Sequence, residues 1–447
     1  MTDVLDRLRK AIADRDWIQQ ESGRGGMATV VALSCLTLVA CNAPSEVSDA
    51  HVDAFAQLVA EEEMRIGDAD DPDIGFSRVA GIDVDRDGNI YVGEALVPEI
   101  RVYSPDGALL RRIGRRGAGP GEFESAPLFG VVGDTVWATT IGTARITLFD
   151  RGGTVLSARR VEDVVVPLPR SYGYVVPWMM RPDGKFTSHM ARVASSRTAP
   201  PAGVQQTDSI PVPFVLFDAA GAVTDTIGWA GRPPPRMWSP RTPGEGGLEF
   251  IEVGGRRHLV PMARSTLPWW LPLSDGYVLV EASHAESPED GTFSLTRFGL
   301  SGDTVYARTF HYRPIRHSAA ELDSIAVRAA RGEAGGMLPV TPLGGSAVPD
   351  DWEVIARSLR GAMKFPEFKA PIEYPWLAQD ESLWLRLSGE DETTARWVVL
   401  DRLGRPRGSV ELPSRIRVRW NRGDVFWAVE SDEDDVPWLV RFRIRPG

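Results

Sequence analysis

Residues 79–114 read Val79-Ala-Gly-Ile-Asp-Val-Asp-Arg-Asp-Gly88 and Asn89-Ile-Tyr-Val-Gly93, then, after a short link, Ile100-Arg-Val-Tyr-Ser-Pro-Asp-Gly107 and Ala108-Leu-Leu-Arg-Arg-Ile-Gly114. Apolar residues alternate with polar ones along this stretch, and the Asp-Gly and Pro-Asp-Gly pairs are tight-turn signals. Alternation on both sides of such turns predicts β-hairpins. The stretch therefore predicts a unit of four short antiparallel strands.

The same pattern recurs along the chain. The third strand of each copy carries an apolar or aromatic residue with Gly four positions later: Tyr103/Gly107, Phe149/Gly153, Phe217/Gly221, Phe298/Gly302 and Leu400/Gly404, and a sixth copy begins near Val440. The turn between the first two strands recurs as Asp87-Gly88, Gly133-Asp134, Asp183-Gly184, Asp275-Gly276, Asp380-Glu381 and Gly423-Asp424. Six such units are typical of a propeller. We predict an all-β fold, a six-bladed β-propeller of four-stranded antiparallel blades, over residues 62–447.

The number of strands predicts how the ring closes. Six third strands are present, but only five fourth strands follow them. The segment Glu63-Met-Arg-Ile-Gly67 matches the end of a fourth strand, Arg112-Ile-Gly114. We therefore expect residues 63–67 to supply the outer strand of the last blade, which removes an exposed edge. Residues 42–61 are expected to be a tether.

A helical insert is predicted between blades four and five, over residues 318–360. Ser318-Ala-Ala-Glu321 has the spacing of a capping box, and Gly332 follows as a stop signal. A second short helix is expected from Asp351 to Leu359, with an apolar stripe that includes Trp352 and Ile355.

The N-terminus contains both cysteines, Cys35 and Cys41, within fifteen uncharged residues that begin at Met27. This run is too short to span a bilayer as a helix but suits the apolar region of a signal peptide, so residues 1–41 are assigned as one. The alternative is a buried apolar strand with two inert thiols. Residues 1–26 carry mixed charge, so translation starting near Met27 is a further hypothesis.

Two stretches resemble known families. Leu38-Val-Ala-Cys41 resembles the bacterial lipobox, which implies lipidation of Cys41 and export to a membrane, with Asn42 implying the outer membrane, facing the periplasm or the cell surface. Gly81 to Phe123, with its glycine-rich end Gly114-Arg-Arg-Gly-Ala-Gly-Pro-Gly-Glu-Phe123, resembles an NHL repeat of bacterial six-bladed propellers. The resemblance implies a membrane-anchored propeller lipoprotein.

The charge balance limits the partners. The chain has 50 basic and 61 acidic residues, a formal net charge of -11. Five cations and five anions cancel within residues 1–40, so the rest of the chain carries the whole negative charge. This argues against nucleic acid as a partner, because nucleic-acid binding relies on neutralising phosphates. We expect a monomer.

A sequence pattern suggests a metal site that we do not assign. Asp83, Asp85, Asp87, Gly88 and Glu94 satisfy the EF-hand loop spacing. Such a loop has to curl between two helices, whereas the flanks here have the strand pattern and the same turn recurs without the acidic set. We therefore interpret it as a β-turn. The acidic run 430–435 is interpreted as a solvated hairpin loop, with a cation site as the alternative.

No catalytic constellation is visible in the sequence, and we assign no catalytic, metal-binding or cofactor-binding residue. The histidines show no metal-binding spacing: His51, His189, His258, His284, His311 and His317. Four tryptophans stand near strand starts and either line a mouth or belong to the core: Trp178, Trp269, Trp270 and Trp376. Two function classes remain, a binding or scaffold module for a protein, peptide or glycan, and a calcium-dependent hydrolase or lyase of the lactonase type with an axial site.

The lipobox resemblance makes a direct prediction about membrane attachment. Replacing Cys41 by Ser should move the protein from the membrane fraction to the soluble fraction without changing its circular dichroism, because the anchor would lie outside the folded part. Cys35→Ser, upstream of the lipidated position, is the matched control and should stay membrane-bound. If the Cys41→Ser protein still needs detergent for extraction, Cys41 is not the anchor.

Overall fold

The structure, a computed structural model, describes residues 50–447 except 69, 72–73, 141–144, 161–166, 169–170, 176, 193–209, 221, 233–249, 262–267, 333–350, 391–392 and 433–435. The predicted signal peptide and Cys41 lie outside the described residues. Within the described ranges, no helix has the length and apolar character needed to cross a bilayer.

The described chain is mostly β-strand. After β1 (Ala50–His51) and β2 (Gln57–Ile66), sheet A comprises β3 (Val79–Val84), β4 (Ile90–Glu94), β5 (Glu99–Tyr103) and β6 (Leu109–Ile113). Sheet B comprises β7 (Pro127–Val132), β8 (Thr135–Thr140), β9 (Arg145–Asp150) and β10 (Val155–Arg160). Sheet C comprises β11 (Pro167–Leu168), β12 (Ser171–Val175), β13 (Met179–Met180), β14 (Phe186–Arg192), β15 (Ile210–Phe217) and β16 (Val223–Arg232).

The second half of the chain continues the pattern. A separate hairpin, β17 (Phe250–Val253) and β18 (Arg256–Leu259), precedes sheet D, which comprises β19 (Trp269–Leu273), β20 (Gly276–Ala282), β21 (Gly291–Gly299) and β22 (Thr304–Tyr312). The remaining strands form one eight-stranded sheet with β2 at its middle, and we name its two halves separately. Sheet E is the half with β23 (Ile372–Leu377), β24 (Leu383–Leu387), β25 (Thr394–Leu400) and β26 (Pro406–Pro413), and sheet F is the half with β27 (Arg417–Arg422), β28 (Val425–Ser431) and β29 (Pro437–Pro446). Successive four-stranded antiparallel sheets of this kind are consistent with a β-propeller.

The strand β2 joins the N-terminal part of the described chain to sheet F. It pairs antiparallel with β29 from Leu58 opposite Pro446 to Ile66 opposite Leu439, and its first two residues pair parallel with β26 of sheet E. The Glu63–Gly67 segment, expected as an outer strand, thus lies beside β29. At the turn between β5 and β6, Gly107 has a φ of 91°, a backbone conformation that favours glycine.

Residues 50–61 differ from the expected tether. Strand β1 pairs parallel with β22, and a short 3₁₀ helix follows at Val52–Ala54. Val52 is buried, and Phe55 is also buried against Phe310, with ring centroids 6.1 Å apart in an edge-to-face arrangement. The tether prediction is therefore wrong for these residues. The burial of Val52 and Phe55 depends on sheet D, which is remote in the sequence.

The cores lie between neighbouring sheets. Tyr91 and Ile100 of sheet A pack with Val136 and Phe149 of sheet B. On the opposite side, sheet A packs with β2 and sheet F through a cluster that includes Ile66, Val92, Tyr103, Trp427 and Leu439. Sheets D and E share a cluster, and sheets E and F share another. Sheet A thus buries both faces against its neighbours, which explains why β4 and β5 are buried along their whole length.

Two helices lie between β22 and β23, α1 (Ala319–Ala330) and α2 (Trp352–Ala362). The Ser318 hydroxyl accepts a hydrogen bond from the Glu321 backbone N–H at 3.1 Å, which caps α1. Both helices pack against the β17–β18 hairpin through a cluster that includes Val260, Ala326, Ile355 and Leu359. The sequence showed no relation between the hairpin and the helices, which an apolar cluster joins in the structure.

The packing of β2 predicts a contrast between two of its residues. Ile66 is buried in the cluster between sheets A and F, whereas Val59 on the same strand is 49% exposed. Ile66→Ala should lower the free energy of unfolding by about 2–5 kcal/mol, the usual range for emptying a buried aliphatic site. Val59→Ala, the matched control, should change it by less than about 1 kcal/mol. Chemical denaturation of the full-length variants measures both, and equal losses would mean that β2 does not pack as described.

Candidate functional site

The first strands of the sheets lie next to one another. Strand β3 contacts both β7 and β27, and β7 contacts β13. In each sheet, one residue of the first strand pairs with a large aromatic residue of the second strand, and we treat these first-strand residues as equivalent. They are Asp83, Gly130, Met180, Pro272, Trp376 and Asn421. Two of these positions hold polar residues that contact a neighbouring sheet, Asp83 and Asn421, so we describe the first strands as the candidate site.

Asp83 joins three sheets through one carboxylate. Its Oδ1 accepts hydrogen bonds from the Val84 backbone N–H at 2.8 Å and from Trp420 Nε1 of sheet F at 3.0 Å. Its Oδ2 accepts one from the Val131 backbone N–H of sheet B at 2.7 Å. Burial raises the pKa of Asp83 to about 6, although the three hydrogen bonds act in the opposite direction.

The other carboxylates of the EF-hand-like stretch point to different partners. Asp85 Oδ1 accepts hydrogen bonds from the backbone N–H groups of Asp87 and Asn89, each at 2.9 Å. Burial acts to raise the pKa of Asp85, but the hydrogen bonds from Asn89 and Asp87 hold it below its ordinary value. Glu94 instead accepts from Ser77 and from the Arg78 backbone N–H. Since β3 and β4 form a hairpin, the β-turn interpretation is confirmed and the stretch does not curl as an EF-hand loop.

The acidic run 430–435 differs from its prediction at its first residue. Glu430 is buried and paired with Arg65 of β2 at 2.7 Å and with Arg415 at 2.8 Å, so it is not part of a solvated loop. Asp432 accepts a hydrogen bond from Trp438 Nε1 at 3.1 Å, and residues 433–435 lie outside the described part. Among the described residues, no group of three or more His, Cys, Asp or Glu is placed to hold a metal ion.

The histidines and tryptophans do not form one site. Three histidines have separate partners: His284 Nδ1 contacts the Phe368 carbonyl, His311 contacts Asp290, and His317 lies near Glu321. Trp178 is 48% exposed at the start of β13, whereas Trp269 and Trp270 are partly buried in sheet D. A cavity of about 10 Å³ beside Phe123 and Thr147 has room for one water molecule.

Trp376 belongs to a cluster that sequence reasoning missed. We define the β23–β27 cluster as Tyr374, Trp376, Arg419 and Asn421. Trp376 Nε1 donates a hydrogen bond to Asn421 Oδ1 at 2.8 Å, and the Tyr374 and Trp376 rings lie 6.2 Å apart. The only local signal was the alternation of arginines in Ser414-Arg-Ile-Arg-Val-Arg-Trp420, which also fits an ordinary strand.

The cluster combines exposure with unused donors. Tyr374 is 40% exposed, whereas Asn421 is fully buried. Among the described residues, no acceptor reaches the buried Nε of Arg419 or the buried Nδ2 of Asn421. Burial lowers the pKa of Arg419, and burial raises the pKa of Tyr374 against the opposing influence of the Arg419 charge. Arg419 is thus half-buried, and its guanidinium forms no ion pair among the described residues.

Comparisons with known proteins place this chain near no characterised family. No family model and no curated protein matches it. A structure from Bacteroides fragilis described as an exported protein aligns at a TM-score of 0.42 with 14% identity, over 89% of this chain and 98% of that chain. A DUF4221-family protein of Bacteroides vulgatus gives 0.40 and 9%, over 87% and 99%. Regucalcin, a calcium-binding protein of Agrobacterium tumefaciens, gives 0.35 and 10%, over 87% and 96%.

The raised pKa of Asp83 predicts a specific pH dependence. A carboxyl whose pKa is higher in the folded state binds more protons folded than unfolded between about pH 4 and 6, so its contribution to stability falls as the pH rises through that window. From pH 4.5 to 7 the loss should be about 2 kcal/mol, at 1.36 kcal/mol per pKa unit.

Chemical denaturation of the unmodified protein and of Asp83→Asn at the two pH values measures this loss. The stability of the unmodified protein relative to Asp83→Asn should fall with rising pH. Asp134→Asn, at an exposed turn, controls for the removal of one surface charge. A difference that stays constant or grows with pH would show that Asp83 does not titrate as described.

Proposed function

We propose that this chain is an exported, lipid-anchored six-bladed β-propeller that acts as a binding module for a protein, peptide or glycan. In this proposal sheets A to F are the six blades, the anchor is Cys41, and β2 closes the ring by completing the last blade. The helices between β22 and β23 are an insert between blades four and five. The NHL-like stretch Gly81–Phe123 and the lipobox-like Leu38–Cys41 support the assignment.

The observation that carries the binding role is the contrast between two groups of polar side chains. The acidic residues best suited to catalysis, Asp83, Asp85 and Glu94, are engaged by donors of the protein itself. The β23–β27 cluster instead keeps buried donors without acceptors among the described residues, next to the exposed ring of Tyr374. We take the exposed ring of Tyr374, rather than the engaged acidic residues, as the feature that favours a binding role.

A capture experiment tests the binding role. The full chain, immobilised as the Cys41→Ser variant, should enrich a protein, peptide or glycan from envelope extract. A Trp178→Ala, Tyr374→Ala bait should enrich the same partner at least ~10-fold less, because exposed aromatics dominate recognition surfaces. Leu156→Ala, an exposed residue of β10, is the control bait and should leave enrichment unchanged. If enrichment does not exceed that of empty resin, or is the same with all three baits, the proposed role is wrong.

A calcium-dependent hydrolase or lyase of the lactonase type is the second candidate. One observation favours it, since Asp83 is a buried titratable carboxylate with a raised pKa in the ring of first strands, where such enzymes carry their site. Stoichiometric calcium in the purified protein, with a calcium-dependent rise in Tm that Asp83→Asn abolishes, would support the enzyme. We expect Tm to be insensitive to calcium in both proteins, because the acceptor atoms of Asp83 are engaged by Val84, Val131 and Trp420.

A further inference from the structure

We propose that His51 and His311 form a binding site for a transition-metal dication such as Zn²⁺, and that the bound metal fastens the N-terminal strand β1 to sheet D. The inference goes beyond the proposed binding role and is independent of it. It follows from the register of one parallel strand pair, from the exposure of the two imidazoles, and from the carboxylate that holds the ring of His311.

The pairing of β1 with β22 places the two histidines side by side. In this parallel pair Ala50 lies opposite Phe310, and His51 lies opposite His311. Neighbouring strands are about 4.8 Å apart, and side chains alternate between the two faces of a sheet. Phe310 is buried in the core that sheets D and E share, so the next residue, His311, projects away from that core together with His51. Thr292, which pairs with His311 on its other side, is exposed as well.

The two imidazoles are open to solvent. The side chain of His51 is 41% exposed and that of His311 is 30% exposed, so a metal ion reaches both without any change in the core. Imidazole nitrogens bind Zn²⁺ at about 2.0–2.1 Å, so two of them on one tetrahedral ion lie roughly 3.3 Å apart. Side chains that start from backbones about 4.8 Å apart reach this spacing by rotation about their side-chain bonds.

The partner of His311 prepares its ring for a metal. Its Nδ1 lies 2.8 Å and 3.0 Å from the two carboxylate oxygens of Asp290. Histidines that bind metals through Nε2 usually donate Nδ1–H to such a carboxylate, which fixes the tautomer and makes the ring a better ligand. The Asp53 carboxylate lies 3.5 Å from Nδ1 of His51. That Nδ1 accepts a hydrogen bond from the Asp53 backbone N–H at 3.2 Å, and metal binding through Nε2 exchanges this bond for one to the carboxylate.

The ligand set selects the class of metal. Imidazole nitrogens suit Zn²⁺, Ni²⁺ and Cu²⁺, whereas Ca²⁺ and Mg²⁺ require oxygen ligands. Since the described residues place no three candidate ligands together, water completes the coordination of the two histidines. Half of the four ligands of a structural zinc site should give a Kd of roughly 1–100 µM. The site thus differs in ligands and in metal from the calcium site of a lactonase-type enzyme.

A metal at this position would complete the attachment of the N-terminal segment. Strand β1 is two residues long and pairs with β22 through Ala50 and His51. The residues that follow are held from sheet E, because Arg396 donates a hydrogen bond to the Val52 carbonyl at 2.8 Å and pairs with Asp53 at 2.6 Å. An ion between the two histidines ties β1 to β22 as well. It stabilises the paired state, because the unfolded chain does not hold the two imidazoles together.

Isothermal titration calorimetry with zinc chloride tests the site on the full chain, with Cys35 and Cys41 replaced by serine so that no thiol competes for the metal. This parent protein should bind Zn²⁺, and calcium chloride at the same concentration should not displace it. Asp290→Asn should weaken zinc binding about 10-fold, the usual effect of removing a carboxylate behind a histidine ligand.

The histidine variants locate the bound zinc. His51→Asn retains an acceptor for the Asp53 backbone N–H, and it should weaken zinc binding at least ~10-fold, as should His311→Gln. His284→Gln removes a half-buried histidine outside the pair and is the matched control, so it should bind zinc as tightly as the parent. Without zinc, the variants should have the circular dichroism and the Tm of the parent, because the side chains of the pair are solvent-exposed. No zinc binding, or zinc binding that neither variant of the pair weakens, would overturn the site.

Hydrogen exchange of the parent protein separates attachment from binding alone. With Zn²⁺ at about ten times its Kd, amide exchange in residues 50–52 should slow about 10-fold, because opening of β1 then has to release the ion. Exchange in β10 of sheet B should stay the same. Zinc that binds through the two histidines but leaves exchange in residues 50–52 unchanged would overturn the proposed fastening of β1 to sheet D.

Discussion

The carboxylate of Asp83 is the contact on which the arrangement of the sheets depends. It is buried, and it accepts hydrogen bonds from sheet B through Val131, from sheet F through Trp420 and from its own strand through Val84. Each donor would be buried without a partner if the carboxylate were absent, and unsatisfied buried donors are expensive. The apolar cores between the sheets bury surface area, but the hydrophobic effect has no directional preference that would fix the relative positions of the strands. Asp83 fixes the positions of three first strands relative to one another, and the cores then pack around them.

Comparison of Asp83 with Arg419 distinguishes two uses of a polar residue on a first strand. Both are buried or half-buried and both have a pKa shifted by burial, so the shift alone does not separate structure from function. The partners do. Asp83 has three donors within the protein, whereas Arg419 and Asn421 retain polar atoms that no described residue satisfies.

The sequence predicted the local structure well because tight turns require particular residues at particular positions. Gly88 and Gly107 have φ values of 84° and 91°, which few other residues adopt, and the neighbouring Asp residues accept the turn hydrogen bonds. The burial of Val52 and Phe55 was not predictable in this way, because their partners lie in sheet D and no local periodicity marks them. The β23–β27 cluster was missed for the same reason. Trp376 and Asn421 are 45 residues apart in the sequence. Arg419 is the extra residue of a bulge, which interrupts the strand alternation used to interpret the sequence.

The hydrogen bond between Trp376 and Asn421 connects the ring of first strands to the β23–β27 cluster. Trp376 and Asn421 occupy the positions in sheets E and F that are equivalent to Asp83 in sheet A. At the Asp83 position the contact between sheets uses every polar atom of the side chain. At the Asn421 position the contact between sheets uses only the side-chain oxygen, which accepts a hydrogen bond from Trp376 Nε1. The Gln379 backbone N–H donates to the main-chain carbonyl of Asn421. The same hydrogen bond that joins sheet E to sheet F therefore also fixes the orientation of the Asn421 amide.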